Sequence, residues 1–272
     1  MKRRTFNKAT ALSLFFPSLM HSLLFSAYAE PPKDNFPLAL ERKVFDVTLA
    51  KEVGSEFSLG DSVVGKVIVH PRMDGKNYKL FFEASSSPLL LVGRFINQRN
   101  LKFEHSPNSK TPHYRSLETT IEDYKRVLIF PSKIKERHCY RSCDNGIDLE
   151  MSKKTGFEKI ERKFNVPDDT VDAMVMLLNL LATDFSESVE NYYLGRVKGN
   201  NNDQHSVEIF ANVNKKGDDY SMRLDLPRDT LMEDETSCVI DYHKEEGKLE
   251  ILLAALFVKK YLNSWAVATP IN

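Results

Sequence analysis

The chain has 272 residues, of which 42 % are hydrophobic, 28 % charged and only 11 glycine, a globular composition without low-complexity bias. Its 38 basic residues are matched by 38 acidic ones, which argues against a nucleic-acid partner, since phosphate binding draws on a basic surface.

The first residues, Met1-Lys2-Arg3-Arg4-Thr5-Phe6-Asn7-Lys8, set an arginine pair one position before a phenylalanine. The segment resembles the twin-arginine export signal, departing from it at the residue before the pair and at Asn7. From Ala9 to Ala29 there is no charge, Leu12, Leu14, Phe15, Phe16, Leu19, Leu23, Leu24 and Phe25 are apolar, and Ala27-Tyr28-Ala29 has the small-x-small form of a cleavage site. Residues 1–29 are expected to be a cleaved signal and the remainder to be periplasmic. The alternative is a retained anchor, because the uncharged run nearly spans a bilayer core of roughly 30 Å; Pro17 and the interspersed polar residues weaken it. Cleavage removes Lys2, Arg3, Arg4 and Lys8, leaving 243 residues with 34 basic against 38 acidic, a formal charge of −4. No later segment approaches the ~20 apolar residues of a membrane helix, so no transmembrane segment is expected after cleavage.

Residues 30–40, with Pro31 and Pro32, read as a linker, since proline withholds a ladder donor. The chain from 41 to 272 is expected to be one β-rich domain with a soft boundary near Gly156. Strands are expected at Val44 to Leu49, Val63 to Val69 and Tyr78 to Glu83, with Asp74-Gly75 turning the last two into a hairpin. Further strands fall at Leu89 to Ile96, Leu101 to Glu104, Tyr114 to Ile121 and Tyr124 to Phe130, in a meander. Pro167-Asp168-Asp169-Thr170 offers capping oxygens to a helix over Val171 to Leu181, apolar on most sides and so packed against the sheet. Strands resume at Tyr192 to Val197, Ser206 to Val213 and Tyr220 to Leu226, with Lys215-Lys216-Gly217-Asp218 as a turn and Gly199 to Asp203 as a loop. Leu249 to Val258 fits a helix or a buried strand equally, since periodicity does not decide. The expected fold is α+β, mainly antiparallel: a curved, half-barrel-like sheet with one apolar helix packed on it.

Three groups of residues invite a chemical reading. Gly60-Asp61-Ser62 resembles the block of the lipase and esterase family named for Gly-Asp-Ser-Leu, which would make Ser62 a nucleophile with Asp241 and His243 as its partners. That family sets its serine between a buried strand and a helix, whereas Ser62 follows a polar stretch and precedes a strand; a simple turn is the competing reading. His138-Cys139-Tyr140-Arg141-Ser142-Cys143 places two thiols four apart, and Cys238 is the third cysteine. A disulfide among Cys139, Cys143 and Cys238 is preferred over a metal site, because no further ligand completes a set. No phosphate loop or zinc-protease motif is present, and no cofactor is expected. The third group is apolar: Tyr78, Leu80, Phe82, Leu89 and Leu91 would line either an ordinary core or a face that receives a lipid or other apolar ligand.

Gly60 or Gly65, the aromatic strand Tyr78 to Glu83, Tyr114-Arg115, Arg126-Val127-Leu128-Ile129-Phe130 and the Asp172 that opens the helix together resemble a bacterial envelope family, domain-of-unknown-function family 3108. The resemblance covers most of the mature chain and implies periplasmic location and a curved antiparallel sheet. It implies no activity and assigns no site residue. The expected function is therefore non-enzymatic binding of an apolar ligand or an envelope protein, with two rivals: a Ser62 hydrolase, and an assembly protein that pairs through a sheet edge.

Overall fold

The computed structural model describes residues 43–53, 56–74, 77–86, 93–106, 114–127, 130–198, 206–226, 236–245, 248–258 and 264–271. The first half contributes β1 (Lys43–Val53), β2 (Glu56–Asp74), β3 (Asn77–Ser86), β4 (Gly93–His105), β5 (Tyr114–Val127), β6 (Phe130–Cys143), β7 (Gly146–Thr155) and β8 (Glu158–Val166). After β9 (Thr170–Val171) and the single described helix α1 (Ala173–Ala182) come β10 (Val189–Lys198), β11 (Ser206–Lys216), β12 (Asp219–Leu226), β13 (Thr236–Glu245), β14 (Lys248–Val258) and β15 (Ser264–Pro270).

The strands form one sheet in the order β8-β7-β6-β5-β4-β3-β2-β1-β15-β14-β13-β12-β11-β10-β9. It consists of two meanders joined where β1 pairs antiparallel with β15, as in Phe45 against Pro270 and Ala50 against Trp265. Among the described strands, the only parallel pair is β9 with β10. The sheet curls into a nearly closed, barrel-like wall, which satisfies the expectation of a mainly antiparallel, half-barrel-like α+β fold with one helix. Alternation produces the inside and outside: in β12, Tyr220, Met222, Leu224 and Leu226 are buried while Asp219, Ser221, Arg223 and Asp225 are exposed.

All ten residues of α1 are buried. Leucine, methionine and alanine favour the helix, and no glycine or proline interrupts it. The Asp172 carboxylate accepts from the Met174 amide at 2.9 Å and from the Thr119 hydroxyl at 3.1 Å, while the Asp172 amide donates to Ser116 Oγ at 2.7 Å. Midway, Asn179 is clasped by β5: its Oδ1 accepts from the Tyr114 amide at 2.7 Å and its Nδ2 donates to the Tyr114 carbonyl at 2.9 Å. At the far end the buried Lys244 ammonium donates to the carbonyls of Ala182 at 3.1 Å and Thr183 at 3.3 Å, complementing the negative end of the helix.

Several boundaries differ from expectation. The helix is capped by Asp172, not by Asp168, Asp169 or Thr170, because Thr170 and Val171 are drawn into the ladder with Arg196 and Val197. The expected strands Leu89 to Ile96 and Leu101 to Glu104 are one strand where described, and Tyr114 to Ile121 continues into Tyr124 without a break. Phe130 begins β6, so the segment holding Cys139 and Cys143 is a strand. Leu249 to Val258 is strand β14. Lys215 and Lys216 belong to β11, and Gly217, with φ +67°, leads the turn. Gly156 begins the turn of the β7–β8 hairpin within the continuous sheet. The signal, the linker, Gly75 of the first hairpin, Leu89 to Val92, Leu128, Ile129 and the loop Gly199 to Asp203 lie outside the described residues. Among the described residues no helix is long and apolar enough to cross a membrane.

Candidate functional site

Ser62, Asp241 and His243 are not brought together. Ser62 is exposed on β2, and β1, β15 and β14 lie between it and β13, which carries the other two. The His243 ring is engaged by Asp219 at 2.8 Å and faces Glu245 at 3.7 Å, and both carboxylates raise its basicity and favour the imidazolium, the wrong form for a general base. Burial pushes the Asp241 carboxyl up, with a hydrogen bond from Ser221 in partial opposition. The Gly60-Asp61-Ser62 block has a structural role. Thr48 pairs with Val63 but Ala50 with Leu59, so these residues bulge opposite Leu49, and a Cβ on Gly60 would come within 2.9 Å of the Leu49 carbonyl oxygen.

The three cysteines are free. Cys139 and Cys143 lie four residues apart on one extended strand, which separates their Cα atoms by roughly 13 Å, beyond the ~7 Å limit for a bridge. Cys238 faces the interior core, where burial pushes its thiol well up, whereas Cys139 faces outward. The disulfide expectation is thus not met, because the segment is a strand and the third thiol is on the other face of the wall.

The apolar candidates fare differently. Leu80 and Phe82 are fully buried in the core around α1, and Tyr78 packs against it beside Phe103 and Tyr114. Leu89 and Leu91 are outside the described residues. In register, Leu80 stands opposite Leu101, but Phe82 is opposite Arg99 and Ala84 opposite Asn97. The inner face of the sheet therefore turns from apolar to ionic across a single strand spacing. The row continues from Arg99 to Ile121, Glu136 and Lys153, and the next from Asn97 to Asp123.

Arg99, Asn97 and His138 are each less than a tenth exposed, and Arg99 Nε and Asn97 Oδ1 have no hydrogen-bond partner. Burial pulls the Arg99 guanidinium down, and Asp172, Asp123 and Glu136 hold it up; it stays charged. Burial would raise the Glu136 carboxyl, but His138, Lys153 at 2.6 Å and the charge on Lys198 reverse this and hold it well below the usual carboxylate range. His138 lies 3.5 Å from Glu136, and burial lowers its basicity against that carboxylate, favouring the neutral ring. Burial likewise lowers Lys198. Arg99, Lys153 and Lys198 thus face Asp123, Glu136 and Asp172, a balanced set of charges with an unused donor, an unused acceptor and an imidazole nitrogen.

This cluster lies beyond the end of the helix. Along β5, Tyr114, Ser116 and Thr119 are latched to α1 and its cap, whereas Ile121 and Asp123 face the cluster. A ten-residue helix is about 15 Å long and a fourteen-residue strand about 45 Å, so α1 runs along only part of the length of β5. The sequence signal was the polar run Gln98-Arg99-Asn100 between apolar segments, which suggests a loop when read locally. Comparison with protein-family models, with curated proteins and with solved structures finds no match for this chain.

Proposed function

We propose that the protein is an exported envelope protein that binds an amphiphile with an uncharged polar head inside its sheet and carries out no reaction on it. The observation that carries this reading is the cross-strand neighbourhood of Phe82 and Arg99, where an apolar column (Leu80, Phe82, Ala84) meets buried polar atoms that lack partners. Leaving such groups unsatisfied costs about 1–3 kcal/mol each. A hydroxyl-bearing head would accept from Arg99 Nε, donate to Asn97 Oδ1 and reach His138, while its chain follows the apolar column. The balanced charges favour an uncharged head over an ionic one. The arginine pair at residues 3 and 4 and the Ala27-Tyr28-Ala29 site support periplasmic location.

Native mass spectrometry of protein purified from the periplasm, followed by organic extraction, tests the reading. A bound lipid-sized mass is expected, and it should be lost in an Arg99→Leu variant that keeps its circular dichroism spectrum. A bare mass in the parent protein would refute it. Replacing Arg3 and Arg4 with lysine should retain the precursor in the cytoplasm; unchanged export would remove the twin-arginine assignment.

A further inference from the structure

We propose that β8 is a self-complementary edge through which two copies of this chain pair antiparallel, on a two-fold axis opposite Ile160. Among the described strands β8 hydrogen-bonds only to β7, and its residues from Glu158 to Lys163 are all exposed. The opposite end of the sheet is the two-residue β9, too short to serve as a comparable template. A two-fold axis normal to the sheet keeps each face on its own side, so it must pass opposite one residue, which then meets its own copy. Within Glu158 to Lys163 only Ile160 is uncharged, so it is the only position in that run that avoids a like charge at the axis.

That register is complementary on both faces. Ile160, 47 % exposed, meets its copy; on the same face Glu158 meets Arg162 of the other copy, and on the other face Lys159 meets Glu161, each pair occurring twice by symmetry. Lys159 and Glu161 already form an ion pair along the strand and need only swing across it. The fully exposed Phe157 at the β7–β8 turn would cover the stem of Lys163 at each end. Charges on an edge strand ordinarily block indiscriminate pairing; here their order admits one partner, a second copy.

The test is sedimentation velocity on the mature chain across concentrations up to about 200 µM, a range suited to an interface below about 1,000 Å². A dimer is expected. Lys159→Glu sets two repulsive pairs in place of two attractive ones and should weaken it by roughly tenfold or more. Lys159→Glu combined with Glu161→Lys exchanges the charges and should restore parental affinity to within about threefold. Both positions are exposed, so the fold is retained. A monomer throughout the range overturns the proposal, as does a dimer that ignores Lys159→Glu or is not rescued by the exchange.

Discussion

The two halves of the sheet hold their shape by different means. From β1 to β3 and β10 to β15 the inner face is apolar and packed on α1, with a second cluster of Ala50, Val239, Ala255, Trp265 and Val267 on the outer face. From β5 to β8 the outer face is a lattice of ion pairs: Glu122 with Lys133 at 2.8 Å and Lys135 at 2.7 Å, Glu118 with Arg137 at 2.7 Å, and Asp148 with Lys163 at 2.9 Å. Inside that half, among the described residues, Tyr140, Ile147, Leu149 and Val166 form a small separate apolar cluster with Met151 and Phe164 against it. Exposed pairs contribute about 0–1 kcal/mol each, whereas a buried aromatic contributes several. Stability should therefore be concentrated in one half, and the polar half is free to carry binding.

Substitutions can break this contrast in graded steps. Phe82→Ala opens a cavity in the apolar half and should cost about 3–5 kcal/mol, read as a lowered urea midpoint. Asn179→Ala removes the two buried hydrogen bonds that Asn179 makes to the Tyr114 backbone and should cost about 2–4 kcal/mol; it tests whether the helix ties the halves together. Acidification probes the inner face of the polar half. His138 is held below its unfolded value, so its contribution is present above about pH 6.5 and is lost as pH falls through the folded value; Glu136, also depressed, follows below about pH 4.3. The urea midpoint should drop between pH 7 and pH 5, and His138→Gln should shrink that drop. Lys135→Ala removes one exposed partner of Glu122 and should change stability by less than about 0.5 kcal/mol. A loss comparable to that of Asn179→Ala would erase the proposed contrast.

The same contrast decided what could be read in the sequence. Tyr220 to Leu226 alternates cleanly because one face is core and the other solvent, and the helix stands out as an unbroken apolar run. β6 and β8 escaped because Lys133 to Arg141 and Glu158 to Lys163 carry charges on both faces, which blurs the alternation that marks a strand. Trp265 to Ala268 escaped for the opposite reason: both faces of β15 are buried, so no polar residue breaks the pattern. Leu80 and Phe82 were legible as a buried face. Arg99 was not, because a charge on an inner face contradicts the local pattern and acquires meaning only beside Phe82, Glu136 and Asp172.

The pairing of β1 with β15 puts the two terminal strands of the described sheet at its centre. Every other antiparallel ladder joins consecutive strands and can form as a local hairpin, but this one joins the most distant parts of the chain and must form late. Until β15 is available, each meander presents an uncovered apolar strand, and the folding chain has two adhesive edges that the finished protein covers. Deleting Ser264 to Pro270 would therefore not fray a margin. It would divide the wall down its middle.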